Sequence, residues 1–417
     1  MKIGLQTWGT DGDFFPFLAL AIGLKEAGHE VILAYTSIDG KDYSNHPQAI
    51  GIDLIKADGG ISAPIGVNPY AIAAKPGSFK EYSKLLSLYF DPFTEAMYSA
   101  SRKLCQENDL VIGHAVCHTL LTASQKLNCP RVSLVLTPLV VRSKYVSPIG
   151  VNLGPFLNSF LWWIGGMVAT ASWFKTAKAI RKREGLTPIT SLQEELFTSN
   201  LLTVIASSET LTQKPKDWAA NIHMTGFLNL ENLNSDWKMP PDLKEFIQNG
   251  DPPIYMTFGS CLQFDAQDST QLLLEAAKLS GKRAIIQTSI TNEELEQNPN
   301  VYILNSIPHS EVFPLCSLIV QHGGAGTTQA ALLAGKPSIV VAHGFDQPYW
   351  GQQLQEAKVG GKVFQRAKIT VDELAEEIKH VLASNLISKN ASDIGAQMKT
   401  ENGVEKAVQL ISNLSIK

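Results

Sequence analysis

A glycine-rich turn between two β-prone segments limits the possible folds of this chain more than any other feature. Residues 315–320 are apolar and β-prone, and the sequence HGGAGTT follows them from His322 to Thr328. A run of small residues then leads to Gly335, a residue type that commonly ends helices. A second β-prone segment begins at Ser338. This order predicts a strand, a glycine loop that opens a helix, and a second strand, as in α/β proteins with parallel sheets.

The predicted glycine loop has the properties of a phosphate-binding site. A helix that begins near Gly324 to Gly326 leaves its first backbone N–H groups without intrahelical acceptors, at the positive end of the helix dipole. Glycines let an anion approach the backbone, and the hydroxyl group of Thr327 adds a donor, although glycine in an αβ turn also serves geometry alone. The loop has no GK[ST] ending, so a P-loop NTPase is disfavoured. The pair Asp346 and Gln347, after the second strand, favours a sugar diphosphate as the ligand.

The same order of elements recurs along the rest of the chain. Residues 2–8 read as a buried strand, 9–13 as a loop, 14–27 as a helix, and 30–35 as the next strand, which together make a βαβ unit. Helical patterns separate many of the later strands, so we predict an α/β protein with mostly parallel sheets and right-handed crossovers. The further predicted strands cover residues 110–113, 131–136, 202–207, 254–258, 284–287, 301–304, 317–321 and 338–342.

A change of composition predicts where the chain divides. Residues 229–253 are rich in Asn, Asp and Pro and read as a linker. We therefore predict a Rossmann-like N-terminal domain over 1–228 and a second Rossmann-like domain over 254–398, followed by a C-terminal segment over 399–417. Open parallel sheets bind ligands beyond the carboxyl ends of their strands, so two such halves predict an active site in the cleft between them.

Charge and cysteine usage exclude several classes of function. The 417-residue chain has a net charge of −4 and a pI of about 6.2, so it offers no basic field for nucleic acid. Its five cysteines have no CxxC spacing, which argues against a disulfide framework or a zinc site and fits a reducing cytosol. Met1 begins a strand directly, without the pattern of a signal peptide. We expect a cytoplasmic protein that begins at residue 1.

Three sequence blocks carry a resemblance that spans nearly the whole chain. They are WGTDGDFFPFLALA from Trp8, YMTFGS from Tyr255, and SIPHSEVFP from Ser306 followed by the HGGAGTT to DQPYWGQ block. In this order they resemble the inverting nucleotide-sugar glycosyltransferases of the GT-B fold, with a pattern nearest to the sterol glucosyltransferases and the bacterial antibiotic glycosyltransferases. The resemblance implies two Rossmann-like domains with parallel sheets that face each other across a cleft, the first binding the acceptor and the second the donor. It also implies a final helix over 399–417 that returns to the N-terminal domain. It also implies transfer of a hexose from a UDP- or TDP-sugar, with UDP-glucose favoured, to a hydroxyl group of a small molecule.

Transfer with inversion requires a base for the acceptor hydroxyl, and the resemblance implies that Asp13 has this role. The alternative interpretation of Asp13 is the N-cap of the helix predicted from Phe14. Asp11 stands where the related pattern usually has Arg or another residue, so this second carboxylate is expected to raise the pKa of Asp13 or to compete as base. His114 and His118 follow a predicted strand, and they are candidates for acceptor contact or assistance of the base, with structural hydrogen bonding as the alternative.

The resemblance also implies which residues bind the donor. For Asp346 the alternative is a turn residue between Gly344 and Pro348. The expected partners of the diphosphate, the sugar and the ribose lie in the glycine loop, in the Asp-Gln pair and on two earlier loops: Thr10, Gly12, Ser260, His322, Gly323, Gly324, Gly326, Thr327, Asp346 and Gln347.

The nucleotide base is expected near Ile307 and His309, in the SIPHSEVF loop. Plant relatives stack an aromatic ring on uracil and bind ribose with an acid, whereas Ile307 and Ala330 occupy those positions here. The choice between UDP and TDP therefore stays open. No acidic pair is placed to hold Mg²⁺ against a diphosphate, and the helix dipole with His322 can neutralise that charge, so we expect no metal.

Residues 151–183 combine an apolar aromatic run with a basic end. Gly, Pro and Asn interrupt the run, which disfavours a membrane span, and the mixture of Trp and Phe with Lys and Arg is typical of an interfacial amphipathic helix. The resembling enzymes form acceptor-pocket helices here, which implies a lipophilic acceptor such as a sterol, triterpenoid, polyketide or phenol. A plain buried helix is the alternative, and peripheral membrane contact is a further expectation. The expected acceptor residues are His114, Phe156, Trp162, Trp163 and Phe174.

Other classes share parts of this pattern. A sugar-nucleotide epimerase or a glycan-elongating transferase has the two-domain fold but lacks the HGGAGTT to DQ spacing combined with GxxGD. A non-catalytic binder of nucleotide sugars would keep the C-terminal block and lose the base. A dehydrogenase is disfavoured because the first loop, GTDGDF, is not GxGxxG.

Overall fold

The computed structural model describes residues 1–61, 87–172, 175–229, 237–290 and 298–416. Contacts between Cα atoms divide the chain into two compact units. The first unit contains the described residues of Met1–Val67, Gly77–Leu230 and Glu401–Lys417, and the second contains those of Glu231–Thr400. All five cysteines carry free thiols.

The first unit is built on a seven-stranded parallel sheet with the order β3-β2-β1-β4-β5-β6-β7. Alternate residues of its central strands point to opposite faces, so Val111 packs into one apolar cluster and Leu110 and Ile112 into another. The strands are β1 Lys2–Gly9, β2 Glu30–Ser37, β3 Asp53–Lys56, β4 Leu110–His114, β5 Arg131–Val135, β6 Leu202–Ile205 and β7 Ile222–Met224.

Helices cover both faces of this sheet, as the buried strands require. The last helix of the chain packs against the first, and Gly23 permits this because a Cβ atom there would lie 2.5 Å from Val404 Cγ1. Single-turn helices lie at Pro47–Ala49, Asp91–Phe93 and Pro138–Val140, and a π-helix at Leu192–Phe197. The α-helices described for this part of the chain are α1 Asp11–Glu26, α2 Thr94–Glu107, α3 His118–Leu127, α4 Pro155–Ser172 and α5 Lys175–Arg183, with α13 Gly403–Ser412 at the C-terminus.

The second unit is built on a six-stranded parallel sheet with the order β10-β9-β8-β11-β12-β13. Its strands are β8 Ile254–Thr257, β9 Ala284–Gln287, β10 Val301–Leu304, β11 Leu318–Gln321, β12 Ser338–Ala342 and β13 Gly360–Gln365. Its helices are α6 Pro241–Gln248, α7 Ala266–Ser280, α8 His309–Val312, α9 Ala325–Leu333, α10 Gln347–Glu356, α11 Val371–Ala383 and α12 Asn385–Met398, with single turns at Gly259–Phe264 and Phe313–Leu315.

The sequence patterns predicted most strands to within two residues and missed the least apolar ones. The short strands β3 and β7 and the strand β13, which contains Lys362 and two glycines, were not predicted, and neither was α12. Part of the predicted linker, Pro241–Gln248, is a helix that buries Leu243. The first helix begins at Asp11 rather than Phe14, because Thr10 provides its extended N-cap residue.

Candidate functional site

The catalytic carboxylate predicted from the sequence lies at the switch point of the first sheet. The chain leaves β1 to one side through β2 and β3 and later returns to place β4 on the other side, which opens a crevice beyond the carboxyl ends of β1 and β4. Asp13 lies in the first turn of α1, which follows β1 directly, and His114 ends β4. Asp13 Oδ1 lies 3.3 Å from His114 Nε2, and the Asp13 side chain remains 30% exposed. The fold therefore brings these two residues together at one edge of the sheet.

The hydrogen bonds around this pair fix the carboxylate and the imidazole tautomer. The backbone N–H of Thr10 donates to Asp13 Oδ2 over 2.9 Å. The backbone N–H of Val116 donates to His114 Nδ1 over 3.3 Å, so Nδ1 carries no proton. The proton of the neutral ring is therefore on Nε2, which donates to Asp13 Oδ1. Both oxygens of Asp13 accept a hydrogen bond, and its remaining lone pairs are available to an acceptor hydroxyl.

The alternative interpretation of Asp13 as the N-cap residue is wrong. Thr10 is the N-cap, and Asp13 is the third residue of α1, where its carboxylate reaches back to the Thr10 N–H. This arrangement also tightens the β1–α1 loop. Gly9 is required there because a Cβ atom would lie 2.0 Å from Asp13 Oδ2, in a backbone conformation with φ of +139°.

Asp11 has a different set of partners from Asp13. Tyr43 donates its hydroxyl hydrogen to Asp11 Oδ1 over 2.7 Å, and Lys41 forms an ion pair with Asp11 Oδ2. Burial raises the pKa of the Tyr43 hydroxyl, and the charge of Asp11 raises it further, so Tyr43 stays a donor. Because Lys41 neutralises Asp11, the expectation that Asp11 competes as base is not favoured by this arrangement.

His118 does not lie where an acceptor can reach it. It is the first residue of α3, its side chain is fully buried, and its ring packs against Phe90 at 5.9 Å between centroids. Burial lowers the pKa of His118 to about 3, and the charge of Arg181 contributes to the same shift. The interpretation of His118 as a catalytic group is therefore replaced by a role in the core.

The glycine loop lies at the switch point of the second sheet. Strands β8 and β11 are neighbours there, and β9 and β10 follow on one side while β12 and β13 follow on the other. Loops from the carboxyl ends of β8, β11 and β12 carry Ser260, His322 and Asp346. The fold thus places most of the predicted donor-binding residues of this unit beyond adjacent strand ends.

Two glycines enclose the imidazole ring of His322. A Cβ atom at Gly259 would lie 2.9 Å from His322 Cε1, and one at Gly324 would lie 2.5 Å from Nε2. His322 is 8% exposed, and its Nδ1 has no hydrogen-bond partner among the described residues. Burial lowers the pKa of His322 to about 3, helped by the charges of His343 and His309. The ring is therefore neutral, and one of its nitrogens carries a hydrogen that can be donated.

Helix α9 begins directly after this histidine. Gly324 is its extended N-cap residue, and its carbonyl accepts a hydrogen bond from the Thr328 N–H over 2.9 Å. The N–H groups of Ala325, Gly326 and Thr327 precede that bond in the first turn, where they have no intrahelical acceptor. A Cβ atom at Gly326 would meet no atom within 4 Å, so space is open beside this turn. Gly323 lies behind the loop, with φ of +90° and no room for a side chain.

Asp346 and Gln347 have different surroundings. Asp346 is partly exposed, and its Oδ2 accepts a hydrogen bond from Trp350 Nε1 over 2.9 Å. Gln347 is buried, and its Oε1 accepts from the backbone N–H groups of His343 and Gly344 at 2.6 and 3.1 Å. The prediction that Gln347 binds sugar hydroxyls is not favoured in this arrangement, because its amide holds the loop after β12. Asp346 lies partly exposed in that loop.

The residues predicted near the nucleotide base take different positions. Ile307 is buried in an apolar cluster with Val312 and Phe313. His309 begins α8 and stacks on Phe313 with ring centroids 4.3 Å apart. His309 is partly exposed and is the better placed of the two predicted residues to meet a ligand.

The predicted acceptor residues do not form an enclosed pocket. Phe156 is 87% and Trp163 is 54% exposed, whereas Trp162 is buried and donates its Nε1 hydrogen to the Val146 carbonyl over 2.7 Å. Phe174 lies outside the described residues. The alternative of a plain buried helix is also wrong, because one side of α4 is exposed. None of the helices in the part of the chain that the structure describes is long and apolar enough to span a membrane.

Sequence patterns missed the polar residues that hold the glycines in place. Gln287 Oε1 accepts hydrogen bonds from Tyr255 and Thr257 at 3.1 and 2.8 Å, and the Thr257 hydroxyl accepts from the Gly259 N–H over 3.0 Å. Lys41 and Tyr43, the partners of Asp11, were missed too, since nothing local in the sequence pairs them.

Among the described residues, no group of three or more His, Cys, Asp or Glu is arranged to hold a metal ion.

Three buried histidines make the stability depend on pH. Burial lowers the pKa of His118 and His322 to about 3 and that of His343 to about 4. Between these values and about 6.5 the unfolded chain binds protons that the folded chain does not, so stability is lost as the pH falls through this window. Each such histidine contributes about 1.4 kcal/mol per pH unit there. We expect urea denaturation at pH 7.5, 6.5 and 5.5 to show a falling free energy of unfolding.

A pair of variants separates this effect from general acid destabilisation. His118→Gln should reduce the slope more than His380→Gln, which replaces a histidine whose side chain is 65% exposed. Equal slopes in all three proteins would contradict the assignment.

The sequence is similar to known glycosyltransferases. The family described as "Erythromycin biosynthesis protein CIII-like, C-terminal domain" matches residues 271–414. Two sterol 3-beta-glucosyltransferases of Arabidopsis thaliana are 27% and 29% identical over 98% of this chain. The chain spans 67% and 65% of the lengths of these two relatives, or about two thirds.

Solved structures of glycosyltransferases share this fold. The glycotransferase of kitacinnamycin superposes with a TM-score of 0.72 at 17% identity, covering 99% of this chain and 98% of its own. The glycosyltransferase SsfS6 of Streptomyces sp. SF2575, solved with thymidine diphosphate, gives a TM-score of 0.62 at 18% identity and covers 99% of both chains. The chain has the GT-B fold of these glycosyltransferases, and its sequence is similar to UDP-glycosyltransferases. The predicted α/β class with parallel sheets is confirmed.

Proposed function

We propose that the protein transfers a hexose from a nucleoside diphosphate sugar to a hydroxyl group of a lipophilic small molecule, with inversion at the anomeric carbon. The arrangement of Asp13 carries this proposal. Its carboxylate is fixed by the Thr10 N–H and by His114 Nε2, yet it remains partly exposed at the edge of the first sheet. A protein that only binds nucleotide sugars has no need of such a group, whereas a transferase needs it as a base.

In the proposed reaction Asp13 accepts the proton of the acceptor hydroxyl. The acceptor oxygen forms its bond to the anomeric carbon while the bond from that carbon to the diphosphate oxygen breaks, and the electron pair leaves with the diphosphate. The first turn of α9 and the neutral imidazole of His322 offer N–H donors to this developing charge. We assign no step to a metal ion, because helix dipole and histidine supply the stabilisation.

The remaining donor contacts belong to the same proposal. Asp346 is assigned to sugar hydroxyls, with Gln347 holding its loop. Further proposed contacts of the phosphates, ribose and base are Thr10, Gly12, Ser260, Ile307, His309, Gly323, Gly324, Gly326 and Thr327.

The donor is a UDP- or TDP-sugar, with UDP-glucose favoured, and the acceptor is a sterol, triterpenoid, polyketide or phenol. The names of the two Arabidopsis relatives support glucose and a sterol-like acceptor, and the neighbour solved with thymidine diphosphate keeps TDP as the second candidate. The protein is expected to act without nucleic acid.

Mass spectrometry of reactions with paired donors and acceptors tests the function. UDP- and TDP-sugars are incubated with a panel of lipophilic alcohols and, separately, with hydrophilic sugars and without acceptor. We expect a hexose adduct of a lipophilic alcohol together with stoichiometric UDP or TDP. Adducts confined to hydrophilic sugars would reject the acceptor class, and an epimerised donor formed without acceptor would indicate an epimerase instead.

A further inference from the structure

Helix α4 exposes an apolar surface that is unusual for this protein. Of the 17 large hydrophobic residues that are exposed in the described part of the chain, ten fall between residues 145 and 168. Soluble proteins seldom leave so many neighbouring apolar side chains in water. We call the part of this surface on the helix the apolar face of α4, and it consists of Phe156, Leu157, Phe160, Trp163, Ile164, Met167 and Val168.

The opposite side of α4 is already fixed to the protein. Asn158 is fully buried and donates its amide hydrogens to the Lys144 carbonyl and to Asn152 Oδ1, at 3.0 Å each. Trp162 is one turn further along and bonds to the Val146 carbonyl. Gly166, one turn beyond, packs against Gln193, because a Cβ atom there would lie 3.0 Å from Gln193 Oε1. A helix that is fixed on one side and apolar on the other presents the apolar side to solvent or to a binding partner.

The sequence stretch that contains this helix carries an excess of positive charge, and Arg142 and Arg183 at its ends pair with Glu194 and Glu95. No Asp or Glu occurs between residues 142 and 183, although the whole chain carries a net charge of −4. The cations of this stretch are Arg142, Lys144, Lys175, Lys178, Arg181, Lys182 and Arg183. An anionic partner is therefore favoured over a neutral or cationic one.

A cavity of about 760 Å³ joins the charge to the apolar face. Met167, which belongs to the apolar face, and Thr170 contribute to its lining. Its cations are Lys178, Arg181 and Lys182 from α5, so we call this space the basic cavity; the rest of the lining is Leu186, Pro188, Ile189 and Thr190. Arg181 is 3% exposed and donates hydrogen bonds to the Thr187 carbonyl and to Gln125 Oε1, which fix its positive charge in the cavity wall.

We propose that the apolar face of α4 and the basic cavity form one docking surface for an anionic lipid bilayer. The apolar face enters the boundary between headgroups and acyl chains, and the basic cavity receives an anionic headgroup. Aromatic and aliphatic side chains beside lysines are the combination that binds such interfaces, and two such signals together give stable attachment. The proposal is independent of glycosyl transfer, because membrane binding alone is measured.

Vesicle flotation with the full chain tests the proposal. The probes are phosphatidylcholine vesicles with and without phosphatidylglycerol. We expect the protein to float with the anionic vesicles and to be released by high salt. Phe160→Ser with Trp163→Ser should weaken this binding by about tenfold or more, since both side chains lose apolar contact with lipid. Lys178→Glu with Lys182→Glu should weaken it by a similar factor and remove the preference for anionic vesicles.

Matched variants in the second unit serve as controls. Leu279→Ser with Leu386→Ser, and Lys238→Glu with Lys368→Glu, change equally exposed residues and should float like the unchanged protein. The proposal is overturned if the unchanged protein does not float, or if the control pairs lose binding equally. It is also overturned if sedimentation shows a dimer that Phe160→Ser with Trp163→Ser dissociates without vesicle binding, which would make the occupant a second copy of the chain. Normal flotation of that variant with lost turnover of a soluble acceptor would make it the acceptor site.

Discussion

Asp13→Asn is expected to lower the turnover of glycosyl transfer by about 10²- to 10⁴-fold, the range typical for loss of a general base. Asparagine keeps the size of the side chain and an oxygen for the Thr10 N–H, which the aspartate accepts over 2.9 Å. It cannot take the proton of the acceptor hydroxyl. Binding of UDP or TDP, measured by titration calorimetry, should stay within about threefold because the donor sites assigned to the second unit are unchanged.

Asp11→Asn is the matched control for this experiment. Asp11 is two residues away on the same helix and is 44% exposed, and its partners are Lys41 and Tyr43. Its substitution should change turnover by much less than that of Asp13. Full activity in Asp13→Asn, or a larger loss in Asp11→Asn, would show that the base has been assigned to the wrong residue.

The Asp13→Asn substitution is also expected to lower the stability of the protein, and this effect is measured separately. His114 Nε2 donates to Asp13 Oδ1, so the amide of asparagine places a donor against either this ring or the Thr10 N–H. A lost hydrogen bond of this kind is worth about 1 kcal/mol of stability. Thermal denaturation should therefore show a small decrease that does not account for the loss of turnover.

The sequence was sufficient to predict both sheets at their centres but not at their edges. Strands such as Ile254–Thr257 and Ser338–Ala342 are buried on both faces, so they read as continuous apolar runs. The strand Gly360–Gln365 has exposed and partly exposed residues, and Asp53–Lys56 has only four residues, so neither gives a clear period. The composition of the predicted linker did not reveal Pro241–Gln248, whose single fully buried residue is Leu243.

The candidate-site residues that belong to a sequence motif could be predicted. The partners and burial of the others depend on tertiary contacts and could not be predicted. Asp13 and His322 are read directly from GxxGD and HGGAGTT. The pairing of Asp13 with His114 joins residues a hundred positions apart, which only the order of strands explains. Burial likewise decides that His118 is a core residue and that Gln347 holds a loop, although both stand beside motif residues.

Gly324→Ala is expected to weaken both nucleotide binding and the stability of the protein. The backbone of Gly324 has φ of −66°, which alanine adopts readily, so the only obstacle is steric. The new methyl carbon would lie 2.5 Å from His322 Nε2, and the ring lies close to the backbone of Gly259 as well. His322 must therefore move. We expect the affinity for UDP or TDP to fall by about tenfold or more, and the free energy of unfolding by about 1–3 kcal/mol, as for an overpacked core.

Gly326→Ala provides the contrast, because a methyl group there meets no atom within 4 Å and lies inside helix α9. It should raise the free energy of unfolding by about 0.4–1 kcal/mol through the greater helix propensity of alanine. A double-mutant cycle with His322→Ala then identifies the cause of the Gly324→Ala effect. If the glycine serves to make space for the imidazole, Gly324→Ala should weaken nucleotide binding little further once the ring is gone. If the losses of nucleotide affinity in Gly324→Ala and His322→Ala are fully additive, the anion lies against the Gly324 backbone and the Gly324→Ala effect does not act through His322.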